Sequence, residues 1–287
     1  RTTVIRHRRP TPRIEVKTPD QLRAMRRAGL VVCRALREMA AAATPGTTTA
    51  EIDQVARQVL ASAGATSSFL GYDIGYGVPP YPATICISVN EQVVHGIPSG
   101  QRLADGDLVS IDFGAIVDGF HGDSAVTVEV GTTSPEASAL SAATRTALWA
   151  GLAAARPGCR VGDISAAVER SVRDRGLDYG IVAEYTGHGI GSRMHMDPDV
   201  PNLGRSGRGP RLLAGMAVAV EPILTLGRPQ TEVLDDGWTV VTIDRGLACH
   251  WEHTVVLTEH GIWVTTAEDG GEAELGALGA PYAPLAD

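Results

Sequence analysis

Hydrophobic and polar positions follow two different rhythms along the chain, and these rhythms predict helices, strands, helices and strands in turn. Helical spacing covers residues 19–43, 48–64, 135–156 and 161–175. Strand-like runs cover residues 84–89, 108–117, 120–130, 216–221, 238–243, 249–257 and 262–266. Short turns between the strands favour antiparallel pairing, so this order predicts an α+β fold.

The first two helices carry recognisable start signals, and an irregular segment follows them. Thr18 precedes Pro19, which is typical of an N-cap followed by proline in the first turn. Thr48 and Glu51 have the spacing of a capping box. The segment 71–82 is rich in Gly, Tyr and Pro, which predicts a loop.

The most informative segment is a predicted hairpin that carries two carboxylates. Asp118 and Gly119 separate two apolar runs, which is a strong signal for a two-residue turn. In that register Asp123 lies opposite Gly114, and Asp112 shares its face one diagonal away, roughly 7–8 Å between Cα atoms. Two carboxylates on one face repel each other unless a cation binds between them. A solvent-exposed polar face is the alternative for this hairpin considered alone.

Other titratable side chains also lie in or beside apolar segments. His188 lies among glycines, where backbone and ligand can approach closely, and His195 follows seven residues later. Each histidine considered alone is more simply structural. Glu221 ends an apolar run and Glu252 lies within a predicted strand, where an unpaired charge costs several kcal/mol.

Together these positions predict an oxygen-rich metal site. Its candidate ligands are four carboxylates and one imidazole, namely Asp112, Asp123, Glu221, Glu252 and His188. Such a set suits Mn²⁺, Fe²⁺ or Co²⁺ better than a thiolate-rich zinc site does. Because several carboxylates can bridge, five ligands are enough for two ions roughly 3.5–4 Å apart, the spacing of two-metal hydrolases.

Composition excludes several other classes of function. The formal net charge is −8, which argues against a general coat for nucleic acid. No apolar run approaches about 18 residues, so no membrane span is expected. Lys17 is the only lysine, which nearly excludes P-loop or Schiff-base chemistry. The four cysteines show no C-x-x-C spacing, which suits a reducing compartment.

Seven motifs occur in an order that is similar to type I methionine aminopeptidases, a family with the pita-bread fold. The motifs occupy residues 16–29, 88–98, 105–123, 185–191, 221–222, 236–242 and 251–254. The resemblance implies a curved, mainly antiparallel sheet flanked by two pairs of helices. It divides the chain into a basic flexible N-terminal tail (1–14), a catalytic domain (15–268) and a C-terminal tail (269–287).

What the resemblance implies is metal-assisted removal of the initiator methionine. It assigns the five ligands above to two divalent ions, Co, Mn or Fe. Glu221 would take a proton from the attacking water, His95 would contact the substrate near the scissile bond, and His195 would bind its carbonyl oxygen. The resemblance also implies a methionine pocket, to which we assign Trp238, Tyr72, Tyr81, Cys86 and Met194.

The chain departs from the family pattern at several positions. The 71–82 loop is longer than usual, and Phe69 stands where a small residue is common. Met194 replaces an aromatic residue, and Val94 replaces a cysteine. This chain has His250 where a glutamine is usual. Two hypotheses follow: His250 either forms a hydrogen bond to a metal ligand or is itself a sixth ligand. The two histidines near predicted ligands are expected to be supporting or structural, namely His121 and His253.

Two other functions use the same fold. Xaa-Pro peptidases share the ligand set but usually carry a large additional N-terminal domain, whereas only residues 1–14 precede the matching region here. Non-catalytic binding relatives lack some of the ligands. We therefore expect a cytoplasmic, monomeric enzyme that acts on nascent polypeptide N-termini. A ribosome contact through the basic tail is a further hypothesis, with RNA or another polyanion as the alternative and no specific nucleic acid expected.

Overall fold

The helices begin and end close to the predicted positions. The structure is a computed structural model that describes residues 14–174, 176 and 178–286. Its helices are α1 (Pro19–Ala42), α2 (Thr49–Ala63), α3 (Pro135–Ala154), α4 (Val161–Arg173) and α5 (Glu272–Ala277). The predicted basic tail lies outside the described residues except for Ile14, as does the predicted end of α4 at residue 175.

The strands are mostly short. The first eight are β1 (Thr66–Ser67), β2 (Cys86–Val89), β3 (Gln92–Val94), β4 (Leu108–Val117), β5 (Phe120–Glu129), β6 (Gly180–Ile181), β7 (Gly187–Gly189) and β8 (Met196–Val200). The others are β9 (Ala217–Val220), β10 (Ile223–Thr225), β11 (Thr231–Val233), β12 (Val240–Thr242), β13 (Ala248–His250), β14 (Glu252–Leu257) and β15 (Ile262–Val264).

One large antiparallel sheet organises the molecule. Its nine strands include the path β1-β4-β5-β14-β9-β7-β8, with β2 paired to β4 and β15 paired to β14. Two three-stranded sheets, β13-β10-β6 and β11-β12-β3, complete the β-structure of the described residues. The α+β class with mainly antiparallel pairing is therefore confirmed.

Two pairs of helices cover this sheet, as expected. The pair α1 and α2 buries an apolar cluster against β2 and β4, and the pair α3 and α4 buries another against β9 and β14. Helix α1 lies directly on β5, since a Cβ at Gly122 would be only 2.8 Å from the backbone nitrogen of Gly29. Glycine at this position thus permits the close approach of helix and strand.

Local signals are reproduced in the structure at the helix starts. Thr18 accepts a hydrogen bond from the Gln21 amide, and the Gln21 side chain accepts one from the Thr18 amide. Thr48 and Glu51 form the same reciprocal pair at the start of α2. The capping box predicted there is therefore confirmed.

The predicted hairpin register is also correct. Gly114 pairs with Asp123 and Asp112 pairs with Ala125 across β4 and β5. Asp118 and Gly119 both have positive φ, 51° and 79°, as a two-residue primed turn requires.

Two segments differ in detail from their predictions. The run 249–257, predicted as one strand, is divided at Trp251, so that β13 and β14 belong to different sheets. The segment 269–286, expected as a C-terminal tail, contains α5 with a fully buried Leu275, and Tyr282 bridges to Ile262. None of the helices that the structure describes has both the length and the apolar character needed to cross a membrane.

Candidate active site

All five predicted ligands line one cavity of about 320 Å³. Asp112 and Asp123 project from the hairpin, His188 lies on β7, Glu221 follows β9, and Glu252 begins β14. The cavity also contains every other predicted site residue, which are His95, His195, Trp238, Tyr72, Tyr81, Cys86 and Met194. The fold thus brings together residues that are more than 100 positions apart in the chain.

Strand pairing explains why the acidic residues meet. Strand β14 pairs with β5 on one side, where Glu252 lies opposite Ala125, and with β9 on the other, where His253 lies opposite Val220. Asp123 is close in the chain to Ala125, and Glu221 is close to Val220. The Glu252 carboxylate of the central strand β14 therefore lies between the carboxylates of Asp123 and Glu221.

The imidazole of His188 is oriented as a ligand. Its Nδ1 lies 3.0 Å from the carbonyl oxygen of Gly189, so Nδ1 carries the proton and donates to that oxygen. Its Nε2 therefore presents a lone pair, 3.9 Å from Oδ2 of Asp123 and 3.6 Å from Oε1 of Glu221. One ligand atom each from Asp123, His188 and Glu252 lies within 4.8 Å of the others. A lone pair facing carboxylates is the arrangement that a shared cation stabilises.

Several carboxylate oxygens in this cavity are buried without hydrogen bonds. Asp112 Oδ1, Asp123 Oδ1 and Glu252 Oε1 have no hydrogen-bond partner among the described residues. An unsatisfied buried acceptor costs about 1–3 kcal/mol, and more when it is charged. A divalent cation would satisfy all three oxygens, so the donor set fits the metals that the sequence predicts.

Burial shifts the pKa of each acid upward. Burial and nearby carboxylates raise the pKa of Asp112, Glu221 and Glu252 well above the usual range. Burial also raises the pKa of Asp123 to about 7. Four acids crowded into one cavity therefore need either protons or cations to remain there.

Two further histidines border the metal-binding group. The ring of His195 lies 4.4 Å from that of His188, and its Nδ1 is 2.6 Å from the hydroxyl of Tyr72. The ring of His95 meets those of Tyr185 and Trp238 edge-on, at 5.6 and 6.2 Å. Burial lowers the pKa of His195 and lowers the pKa of His95 to about 4. Both imidazoles are therefore uncharged at neutral pH and can donate one N–H each.

An apolar pocket adjoins these polar groups. Tyr72 packs against the buried side chains of this pocket. Its walls include the side chains of Phe69, Tyr81, Cys86, Met194 and Trp238. Trp238 donates from Nε1 to the carbonyl oxygen of Pro79, 2.9 Å away. The Tyr81 hydroxyl donates to the carbonyl oxygen of Gly96 at 2.9 Å. These bonds fix the aromatic walls, so the pocket is formed in advance of binding.

His250 lies closer to the acids than His121 or His253 does. Its Nε2 is 3.8 Å from Oε2 of Glu221 and 4.0 Å from Oε2 of Glu252, and it is buried with no hydrogen-bond partner among the described residues. This position of Nε2 fits both hypotheses for His250, namely a hydrogen-bond partner of a ligand and a sixth ligand. In contrast, Nδ1 of His121 is 2.9 Å from the Ser68 hydroxyl, and Nδ1 of His253 is 2.8 Å from the Thr266 hydroxyl.

The structure adds lining residues that were not among the predicted site residues. Ile74, Glu184, Tyr185 and Thr186 all border the cavity. Tyr185 and Thr186 stand just before the glycine-flanked His188, so their neighbourhood was visible in the sequence. Ile74 lies in the long loop, and no spacing rule places a loop residue against a site.

Comparisons with known proteins agree on one family. Residues 19–259 match the family model described as metallopeptidase family M24. Methionine aminopeptidase 1 from Mycobacterium tuberculosis (strain CDC 1551 / Oshkosh) is 52% identical over 267 residues, which is 91% of this chain and 97% of that protein. Methionine aminopeptidase 1 from Bacillus subtilis (strain 168) is 42% identical and covers 87% of this chain and 98% of its own length.

Solved structures show the same relationship. The methionine aminopeptidase from Thermotoga maritima has a TM-score of 0.84 at 37% identity, over 89% of this chain and 100% of that chain. The prolidase from Pyrococcus furiosus has a TM-score of 0.69 at 21% identity, over 88% of this chain and 65% of that chain, and shares the fold. The expected pita-bread fold is thereby confirmed. The chain belongs to the methionine aminopeptidases of metallopeptidase family M24.

Proposed function

We propose that this protein removes N-terminal methionine from peptides and nascent proteins by metal-assisted hydrolysis. The observation that carries the proposal is the meeting of buried metal-binding side chains, two neutral histidines and a preformed apolar pocket in one cavity. The acids supply a place for cations, the histidines supply hydrogen bonds, and the pocket supplies a place for one unbranched apolar side chain. Those are the parts that such a hydrolase needs.

We assign the metal site to two divalent cations, Co, Mn or Fe. The residues that would hold them are Asp112, Asp123, His188, Glu221 and Glu252. The orphaned oxygens on three of the carboxylates support this assignment, and an oxygen-rich set favours these metals. Cations bound there would lower the pKa of a water molecule and polarise the substrate carbonyl.

Glu221 is our candidate for proton transfer. Its carboxylate has a side-chain exposure of 13%, against 3% for Glu252, so it has more contact with the open cavity. The side chain of Asn202 donates to the backbone carbonyl oxygen of Glu221 at 3.0 Å, which fixes the backbone at this residue. In this position Glu221 would accept the proton of the attacking water and pass it to the leaving amine.

The neutral histidines would act on the scissile peptide. His195 would donate to the carbonyl oxygen as negative charge develops on it, and His95 would contact the same peptide from the Trp238 side. A fixed donor of this kind contributes more in the transition state than in the ground state. The side chain of methionine would fill the pocket bounded by Trp238, Tyr81, Cys86 and Met194.

Replacing His195 with alanine should slow turnover without emptying the metal site. We expect kcat for a methionyl peptide to fall about 10²-fold, as for the loss of an oxyanion donor. Metal content, measured by atomic emission on the same sample, should stay near that of the parent protein. A loss of metal that parallels the loss of kcat would instead make His195 a ligand.

The proposed activity is tested by amino-acid release from two tripeptides. Metal-free protein is reconstituted with Co²⁺, Mn²⁺ or Fe²⁺ and given Met-Ala-Ser or Ala-Pro-Ser. We expect metal-dependent release of methionine from the first and no cleavage of the second. Cleavage before proline would assign the protein to the Xaa-Pro peptidases that share this fold, and no cleavage by metal-loaded protein would refute the proposed reaction.

We also propose a setting for the reaction. A methionine aminopeptidase acts on chains as they are made, so we place this protein in the cytoplasm. We also propose that it is a monomer. Residues 1–14 are strongly basic and would provide a contact with ribosomal RNA through their arginines.

A further inference from the structure

A tyrosine hydroxyl is hydrogen-bonded to the histidine that we assign to the substrate carbonyl. The hydroxyl oxygen of Tyr72 lies 2.6 Å from Nδ1 of His195. The two rings meet edge-on, with their centroids 5.1 Å apart. Nδ1 is thereby engaged, while the described residues offer Nε2 of His195 no hydrogen-bond partner. Nε2 is the nitrogen that remains for a substrate.

Tyr72 is held in place at the base of the long loop. Its amide donates to the carbonyl oxygen of Phe69 at 2.9 Å, and its own carbonyl oxygen accepts from the Tyr81 amide at 2.9 Å. A third bond joins the Gly71 amide to the Tyr81 carbonyl oxygen at 2.8 Å. These three bonds close the base of the loop and hold the backbone of Tyr72 on both sides.

The direction of this hydrogen bond determines the chemistry of His195. A neutral imidazole has one N–H and one lone pair. When the Tyr72 hydroxyl donates to Nδ1, the imidazole proton resides on Nε2 and can be donated to a carbonyl oxygen. When Nδ1–H donates to the tyrosine oxygen instead, Nε2 presents a lone pair, which repels a carbonyl oxygen. Only the first direction supports oxyanion stabilisation.

We propose that Tyr72 is a positioning residue whose hydroxyl donates to Nδ1 of His195 and so keeps the imidazole proton on Nε2, facing the scissile carbonyl. This inference rests on the proposed function, because it assumes that His195 acts on that carbonyl. It gives Tyr72 a role distinct from the methionine-pocket role implied by the sequence resemblance.

The first test is the change of Tyr72 to phenylalanine, which removes the hydroxyl and keeps the ring. We expect kcat for Met-Ala-Ser to fall about tenfold, the size of one lost hydrogen bond, with KM unchanged. Tyr76→Phe is the matched control, since Tyr76 lies in the same loop and its side chain is fully exposed. That control should keep both constants. An unchanged kcat in Tyr72→Phe, or a raised KM alone, would overturn the proposal in favour of a pocket role.

The second test asks whether Tyr72 acts through His195. In a protein that already carries His195→Ala, Tyr72→Phe should cause no further loss of kcat, because the imidazole it positions is absent. An equal tenfold loss in both backgrounds would overturn the proposal, since Tyr72 would then act independently of His195.

The third test reads the tautomer without turnover. Nitrogen-15 NMR of histidine-labelled protein, loaded with diamagnetic Zn²⁺, distinguishes protonated from unprotonated ring nitrogens. The chain has 8 histidines, and the His195 signals are those missing from the His195→Ala spectrum. We expect Nε2 to be protonated in the parent protein and the two tautomers to mix in Tyr72→Phe. A protonated Nδ1 in the parent protein would overturn the proposal. If the parent protein releases no methionine, the proposed function fails, and this spectrum still decides the hydrogen bond.

Discussion

Replacing Asp112 with asparagine is expected to abolish methionine release and to lower the metal bound per chain. The amide keeps the shape of the side chain but removes the charge that a cation needs. Changes to residues that merely support a metal ligand cost about 10–100-fold, so loss of the ligand itself should cost more than about 100-fold in kcat/KM. Peptide assays and metal analysis on the same preparation measure both effects.

Asp118→Asn is the matched control for this change. It removes the same charge from the same hairpin, but Asp118 lies in the turn, where it forms an exposed ion pair with Arg27 at 2.6 Å. Asparagine tolerates the positive φ of this position, so the turn should persist. The control should keep its metal and its activity. Full turnover by Asp112→Asn would refute the assignment of the metal site.

Unfolding is not the expected cause of the Asp112→Asn defect. Oδ1 of Asp112 is buried without a hydrogen bond, and Asp123 lies close enough to interact with it. Removing one of several crowded carboxylates relieves repulsion in the metal-free protein. Thermal unfolding of the metal-free variant at pH 8 should therefore occur at or above the temperature of the metal-free parent.

Local sequence signals predicted the hairpin almost completely. The Asp118-Gly119 turn sets the register of β4 and β5, and a period of two then places Asp112 and Asp123 on one face. Both facts depend on neighbours within a few residues. The same holds for the starts of α1 and α2, where the caps lie beside the helices they begin.

The assembly of the site depends on contacts that no spacing rule contains. Asp123 and Glu252 meet because β5 pairs with β14, and Glu221 joins them because β9 pairs with the other edge of that strand. These pairings join segments that are distant in the chain, so they were reached through the resemblance to a family. Tertiary packing determines which strands pair, and the intrinsic strand propensities of the residues do not.

The remaining differences arise where the backbone departs from regular structure. Trp251 separates β13 from β14, although the apolar pattern runs through it without a break. The bond from Tyr72 to His195 depends on the path of an irregular loop, and the sequence predicted only that a loop was there. Periodicity describes regular elements, so it carries no information about either feature.

Once its metals have been removed by chelation, the protein should become less stable as pH rises above about 6.5. The cause is the raised pKa of the buried acids: the pKa of Asp123 is about 7 against 3.8 in its unperturbed state, and the pKa values of Asp112, Glu221 and Glu252 are raised well above their usual range. Between its unperturbed pKa and its raised pKa in the folded protein, each acid holds a proton that the unfolded chain has released, and Asp112, Glu221 and Glu252 extend this interval above pH 7. The free energy of unfolding then falls with pH, by about 1.4 kcal/mol per pH unit for each such group.

Buried histidines act in the opposite sense and in a lower window. Burial lowers the pKa of His188 to about 3 and the pKa of His95 to about 4, both from 6.5. Their contribution to stability is present above pH 6.5 and is lost as pH falls toward those values, because the unfolded chain then binds protons that the folded state does not. Above pH 6.5 they are neutral in both states, so they no longer oppose the effect of the acids.

The measurement is thermal unfolding of chelated and Mn²⁺-loaded protein at pH 6.5, 7.5 and 8.5. The Tm of the chelated protein should drop with each step, while bound cations hold the carboxylates ionised and flatten the dependence. Metal present at about 100 times its Kd should add about 2.7 kcal/mol to stability. The chelated Asp112→Asn variant should show a shallower slope than the parent, because one acid that takes up a proton has been removed. Equal slopes with and without metal would mean that the carboxylates of this cavity do not share their charge with a cation.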